Sequence, residues 1–527
     1  MEFTDTLPED LLPLTEAESR VVAEASKGSR ITLGDGSLPI EDAEDVTVRA
    51  AFLRALLTAP VSTLGSKGLR LRGAWVTGVL DLQGADFDHD ISISACHLAE
   101  SVELVNARVR GLYISGSRLA GLHCDGAHLD GALFLRGGTA IAGEISLAGA
   151  RVGGDVQLCD LTITAPGQDA VFAQGVQVDG SLYLGNYPYS EEVTSLTCDG
   201  ALFLSSAQVS GDVFITNCAV TPMEGAASAV FAETEEHGPG IAVSLARARV
   251  AGLLYFADNQ ITRGLLNLAG ATVARLRDEP AAPGATYPIR LDGFRYEDFS
   301  RHTSTDVGDR LAWLARHPEG LPFVAQPYEQ LASVLRRLGH RSDARMVLKE
   351  KEHLLRRDAR AIAVARGGYG LRWAGMAVGD AMMRYGVGYG YRPGRVVIWA
   401  LALILALGVF FDTVWRAGDM APNAAPVLVS RGWQEAVATH PDNPAEHWSS
   451  PGQPGQDWET FNAYAYAADL VVPLVSFGQE AAWAPTTANP DSLWGRTGWW
   501  LRWFAKVVGW IVTALGAAAI TGAVRSD

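Results

Sequence analysis

The chain has 527 residues, more than one compact core accommodates, and 59 acidic against 43 basic residues give it a net charge of −16. That balance disfavours a nucleic-acid-binding surface over most of the length, so no nucleic acid is expected among its partners. The five cysteines (Cys96, Cys124, Cys159, Cys198 and Cys218) lie in the amino-terminal half without a CxxC pair, as buried reduced thiols do and a disulfide framework does not.

The opening stretch, MEFTDTLPEDLLPL, is acidic and has neither a basic n-region nor an apolar h-region, so no signal peptide is expected and the large domain should stay on the cytoplasmic side. Residues 1–66 read as an amino-terminal helical cap, with helical periodicity in TEAESRVVAEAS and VTVRAAFLRALLTAP.

Residues 67–285 repeat. Units such as GAWVTGVLDL (73–82), GAHLDGALFL (126–135), GARVGGDVQL (149–158), GVQVDGSLYL (175–184) and SAQVSGDVFI (206–215) share the pattern small-Ala-x-Val/Leu-x-Gly-x-Val/Leu-x-Leu. Short fixed repeats signal a solenoid, and the two-residue alternation inside each unit is that of a strand. The expected fold is mainly β: a single-stranded β-helix with about 20 residues per turn, neighbouring turns supplying each other's core. Its right-handedness is taken from resemblance to known β-helices. A pentapeptide-repeat helix has a similar turn, but the apolar positions here do not recur every five residues. The glycine between the two halves of a unit (Gly78, Gly131, Gly154, Gly180, Gly211) suggests a tight corner at positive φ. The irregular stretches 162–174, 186–193 and 223–240 are expected to loop out.

Residues 286–366 read as a linker and an αα-hairpin, with helices at 309–316 and 326–366 and a turn at Gly339. The hairpin resembles one tetratricopeptide unit, with Leu331, Leu335, Leu338, Ala344, Val347 and Leu348 at helical spacing. Its outer face is basic. With the juxtamembrane segment 367–395 it offers Arg336, Arg337, Arg345, Arg356, Arg357, Arg384, Arg392 and Arg395 as candidate contacts to anionic headgroups.

Two apolar stretches follow, 396–415 (VVIWALALILALGVFFDTVW) and 504–524 (FAKVVGWIVTALGAAAITGAV). Each is long enough to cross a bilayer. Arg384, Arg392, Arg395 and Arg525 flank their inner ends, so both termini are expected in the cytoplasm and the connection 416–502 outside; Arg502 and Lys506 argue the other way. Within the connection, 464–477 (YAYAADLVVPLVSF) is too short to span and contains Asp469 and Pro473, as a re-entrant or interfacial helix does. Span, short helix, span is also the order of two-span cation channels. At the place of their filter this chain has Ser476, Phe477, Gly478, Gln479 and Glu480, which departs from TVGYG and puts a carboxylate where a charged ring would sit. A stripe of small residues on the second span (Gly509, Thr513, Ala517, Thr521) suits helix packing in this chain or in a homo-oligomer.

The runs LDGFRYEDF (291–299), QPYEQLASVLRRLGHRSDARMVL (326–348), GYGYRPGR (388–395), LVVPLVSFGQEAAWAP (470–485) and GWIVTALGAAAITGAVR (509–525) resemble a bacterial, mainly actinobacterial, membrane-protein family. Its members carry the labels pentapeptide-repeat-like or "membrane-associated oxidoreductase". The resemblance implies a multi-pass protein of the bacterial inner membrane and, by its label, an oxidoreductase. The residues themselves call for no cofactor, metal or catalytic group. The only dinucleotide-like glycines, Gly386, Gly388 and Gly390, sit beside a span with no preceding strand and read as a hinge. There is no P-loop, GxSxG or HExxH. His123, Cys124, Asp125 and His128 cluster in sequence, but adjacent strand residues face opposite sides. The expected function is a membrane-anchored cytoplasmic scaffold or sensor with a protein partner on the β-helix surface. The alternatives are an oligomeric two-span channel gated by that domain and the oxidoreductase of the family label.

Overall fold

The computed structural model describes residues 7–59, 63–222, 240–282, 285–367, 370–381 and 394–520. It contains two compact units, Met1–Leu348 and Lys349–Asp527.

The first unit is a parallel β-solenoid. Its strands form one 15-stranded and two nine-stranded sheets, which is about nine turns. The turn that begins at Leu133 shows the construction. Strands Leu133–Arg136, Thr139–Ile141, Ile145–Ser146 and Arg151–Val152 follow in order, and Val156–Cys159 lies parallel to the first. Inward residues come in pairs two apart, such as Leu133 and Leu135 or Ala150 and Val152, each sealed from solvent. Across turns they stack in register, as in Ile93, Ile114, Leu135, Leu158, Leu184 and Ile215. Each such side chain contributes about 1.5–3 kcal/mol by burial. Leu112, Leu133 and Val156 are register partners, so these turns take 21 and 23 residues, close to the expected length; the later turns Val156 to Leu182, Leu182 to Val213 and Val213 to Leu254 lengthen to 26, 31 and 41.

The repeat glycines hold a surprise. Gly78 has the expected positive φ of 83°, whereas Gly131, Gly154, Gly180 and Gly211 lie outside the left-handed region. What excludes a side chain there is the preceding turn. A Cβ on Gly180 would stand 2.7 Å from Gly154 C, and one on Gly211 2.7 Å from Gly180 O. The left-handed corner instead precedes the small Ala or Val of each unit, at Gly126, Gly149 and Gly175, with Asn106, Ser206 and Arg247 in the same column at φ near 53–60°.

Of the expected loops, 186–193 does lie between strands Leu182–Gly185 and Leu196–Asp199. The stretch 162–174 is shorter than expected as a loop, because strands Leu161–Thr164 and Val171–Phe172 take its ends. Residues 223–239 are outside the described set.

At the amino-terminal end, helix α1 (Glu16–Ala25) begins with a capping box between Thr15 and Glu18. The VTVR stretch expected to be helical is strand Thr47–Arg49, parallel to Trp75–Thr77, and helix α2 starts only at Ala50 (Ala50–Leu57). The open edge of the first turn takes up the β-branched Thr47 and Val48, overriding the helical pattern that follows. At the other end, helix α3 (Val307–Leu314), helix α4 (Gln326–Arg337) and the start of helix α5 (Arg341–Gly367) close the coil, with Gly339 at φ 89° in the turn.

The second unit takes up α5 from Lys349, followed by α6 (Leu371–Ala381) and the long helix α7 (Gly394–Arg416). Four short helices fill the connection: α8 (Ala425–Leu428), α9 (Arg431–Thr439), α10 (Pro444–Trp448) and α11 (Ala463–Val471). The single-turn α12 (Gln479–Ala482) and the long α13 (Leu493–Ile520) complete it. An antiparallel ribbon pairs Met420–Pro422 with Trp483–Pro485 and ties the connection together. Helices α7, α11 and α13 pack on one another around Phe411, Val414, Tyr466, Leu470, Trp483 and Ala505.

Candidate functional site

The faces of α7 and α13 turned away from that core are apolar and open. On α7, Val397, Ile398, Leu401, Leu405 and Val409 are 56–67 % exposed; on α13, Trp500, Trp503, Phe504, Val507 and Trp510 are 52–67 % exposed. Spacings of three and four residues put each set on one helical stripe. Among the described residues, Gly394–Arg416 is the helix long and apolar enough to cross a membrane. The last four residues of the second expected span, 521–524, lie outside the described set.

The segment 476–480 is part of a closed polar cluster. The Glu480 carboxylate is paired with Arg502 Nη2 at 2.8 Å and with Lys506 Nζ. Burial pushes its pKa up, but the hydrogen bonds and charges of Lys506 and Arg502 outweigh that and hold the carboxyl below its usual range. Its backbone N–H donates to Asp469 Oδ2 at 3.1 Å, and Phe477 N–H donates to Asp469 Oδ1. Gln479 is buried; its Nε2 donates to Thr460 O at 2.9 Å and its Oε1 accepts from Asn462 N–H at 2.9 Å. Gly478 takes a left-handed φ of 81° at the head of α12, and Phe477 is exposed. Trp483 is fully buried and donates from Nε1 to Glu459 O at 2.8 Å. The segment is thus a fastened turn of the connection, its carboxylate spent on the second long helix.

That helix is also fixed at its start. Asp419, buried just after α7, accepts from Gly495 N–H at 3.1 Å and from the Ser492 hydroxyl. Gly509 meets the connection where a Cβ would stand 2.6 Å from Val471 O and 2.7 Å from Leu470 O. Lower down, a Cβ on Gly516 would touch Val396 at 3.3 Å. Of the small-residue stripe, Gly509 packs within this chain, Ala517 is exposed and Thr521 lies outside the described residues.

Of the basic residues, Arg336 and Arg345 are exposed in the first unit. Arg337 is exposed too, but its Nη2 donates to Glu297 O at 2.5 Å and Tyr296 O at 3.4 Å on the last strand, Arg295–Phe299. In the second unit Arg357 is exposed, while Arg356 and Arg395 are half-buried. Arg384 and Arg392, like Gly386, Gly388 and Gly390, lie outside the described residues.

On the solenoid, His123 faces outward with Nδ1 2.8 Å from Glu103 Oε1, while Cys124 points into the core. Asp125 accepts from Ala148 N–H at 2.9 Å, and His128 Nε2 lies 3.2 Å from Asp130. Neighbours in sequence, His123, Asp125 and His128 have separate partners, and among the described residues no group of three or more His, Cys, Asp or Glu could hold a metal. All five cysteines are buried and free. Burial pushes Cys96 up to about 11 and Cys159 and Cys198 to about 12, so they are poor nucleophiles.

Two features of the coil carry no sequence pattern. One is a groove of about 650 Å³ at the carboxy-terminal turns, bordered by Asn186, Tyr255, Asp258, Gln260, Glu279 and Tyr287. Arg277 already covers the Tyr255 ring at 3.9 Å. Burial, then the nearby Asp258 charge, raises the Glu279 carboxyl above its usual range. The other is a buried Arg310 held by Asp278.

Comparison of the chain with protein-family models, with curated proteins and with solved structures finds no match.

Proposed function

We propose that this chain is a membrane-anchored scaffold: α7 and α13 form a two-span hairpin, and the solenoid, a right-handed coil on this reading, presents a rigid surface to a protein partner. The observation that carries the anchor is the pair of apolar stripes on α7 and α13, more than half exposed in the absence of lipid. The connection 416–502 forms a folded lid on the outer side of the bilayer, with the solenoid and both termini in the cytoplasm, in the bacterial inner membrane that the sequence resemblance implies. Extended concave or flat surfaces built from stacked turns suit protein recognition, an analogy from architecture. Extraction of membranes with alkaline carbonate tests the anchor: the chain stays in the pellet if it spans, and release to the supernatant refutes the reading.

One observation favours the channel as a second reading, because α11 packs between α7 and α13 in the order span, short helix, span. Against it, the Glu480 carboxylate that would line a charged ring is paired to Arg502 and Lys506 of the same chain. Two spans of one copy cannot enclose a pore, so a monomer by native mass spectrometry eliminates this reading. A closed tetramer or pentamer would keep it.

A further inference from the structure

The turn that follows α11 is built unlike a water-facing loop. From Pro473 to Phe477 it carries no charge, and Leu474, Val475 and Phe477 are 77, 49 and 56 % exposed. Two of its four backbone N–H donors, and two just after it, are met from within. Val475 N–H donates to Val472 O at 3.2 Å, Phe477 N–H to Asp469, Gly478 N–H to Ser476 Oγ at 3.3 Å, and Glu480 N–H to Asp469 Oδ2 at 3.1 Å. Irregular backbone at membrane depth needs its polar groups satisfied by protein, and these bonds meet part of that need. Asp469, the one acid of α11, supplies two of these acceptors.

The register of α11 on the two long helices gives its depth. A Cβ on Gly408 of α7 would overlap the Tyr464 ring, and Gly408 precedes the charged Asp412 by four residues, ~6 Å along the axis. Gly509 of α13 abuts Leu470 and Val471 and lies three residues, ~4–5 Å, beyond Lys506. Both contacts thus fall about one helical turn inside the charged residue that borders the apolar stretch of their helix. Two independent helices put α11 at the same level, at the edge of the apolar zone.

We infer that residues 473–477 form a wedge inserted into the outer leaflet, with Leu474, Val475 and Phe477 against lipid acyl chains. This rests on the membrane-anchor reading and names lipid as the occupant of the exposed turn. The wedge shares its exposed apolar character with the stripes of α7 and α13, and Glu480, paired with Arg502 and Lys506, follows it in the chain.

Spin labels test it on the full-length protein in nanodiscs, since the five native cysteines are buried and stay unlabelled. Val475→Cys is compared with Val409→Cys on the lipid stripe of α7 and with Asp457→Cys, exposed in the lid. Phe477→Cys repeats the measurement if the first variant folds poorly. The wedge gives an oxygen-to-nickel accessibility ratio at 475 that matches 409 and exceeds 457. A ratio like that at 457 places the turn in water and overturns the inference while leaving the anchor standing. Low accessibility to both reagents with an immobilised label marks contact with a second copy and also overturns it. A water-like ratio at 409 refutes the anchor itself.

Discussion

Arg310 and Asp278 form a bidentate pair, Nη1 to Oδ2 at 2.9 Å and Nη2 to Oδ1 at 2.7 Å, with the arginine wholly shut off from solvent. Arg310 Nε donates to Ser304 O at 2.8 Å and its guanidinium lies 4.2 Å over the Phe299 ring, so α3 is fixed to the last turns of the coil. The pair closes the solenoid where an open edge would invite pairing with another chain.

Removing one member leaves the other charge buried and uncompensated. Arg310→Ala should destabilise the first unit by about 3–5 kcal/mol. The double variant Arg310→Met with Asp278→Leu should cost markedly less, because it leaves no orphan charge. Thermal unfolding followed by circular dichroism of the strand signal compares the two; equal losses would deny the pair this role.

At the other end, Glu18 is buried and accepts from Arg49 Nε at 2.9 Å, Arg49 N–H at 3.0 Å and Thr15 N–H at 3.0 Å. Burial pushes its pKa up, yet these hydrogen bonds and the Arg49 charge bring it below the ordinary carboxylate value. A depressed carboxyl stabilises fully above its unfolded value, 4.5, and loses that contribution as pH falls through the folded one. Amides of α1 should therefore exchange faster relative to the coil below about pH 4, and Glu18→Gln should show this exchange already at neutral pH. Unchanged relative protection in Glu18→Gln would contradict the assignment.

The glycine column separates two reasons for the same residue. Gly180→Ala forces a Cβ into the backbone of the adjacent turn, while at Gly149 the space is open and only the φ of 65° resists. Alanine should cost about 1–3 kcal/mol at 180 from overpacking and about 1 kcal/mol at 149 from left-handed strain. Chemical denaturation of the two variants ranks them, and a larger loss at 149 would reverse the explanation.

Much of the coil is legible in the sequence because its signal is periodic and local: inward pairs such as Val156 and Leu158 announce themselves in any one unit. The contacts that finish the fold join distant residues and leave no local trace. Thr47 and Val48 read as the start of a helix until the edge at Trp75–Thr77 is known. Asp278 and Arg310 are 32 residues apart, and neither stands out from its neighbours. Arg502 and Lys506, at the expected outer end of the proposed second span, run against the charge rule for orientation; Glu480 gives them a local partner. The five-residue segment 476–480 stands out in the sequence, but its neutral partners, Thr460 and Asn462, lie too far along the chain to be foreseen.

Glu480→Gln should loosen the lid without altering the helices, because it frees Arg502 and Lys506 at once. A loss on the order of 2 kcal/mol is expected for hydrogen bonds to charged groups. Since the carboxyl is held below its usual range, the wild-type clamp should persist above that range and open as pH falls beneath it. Protease cleavage within 416–492 should rise both in the variant at neutral pH and in the wild type in acid, and no rise in the variant would show the clamp to be dispensable.

The membrane-anchor reading meets its most direct test in the labelling of single cysteines by a membrane-impermeant maleimide in intact cells. The buried native thiols provide a silent background. Asp457→Cys, exposed in the lid, and Ser342→Cys, exposed on the helical hairpin, are compared before and after permeabilisation. A lid outside and a hairpin inside require labelling at 457 in intact cells and at 342 only after permeabilisation. The opposite pattern, or equal labelling of both before permeabilisation, would contradict the two-span topology.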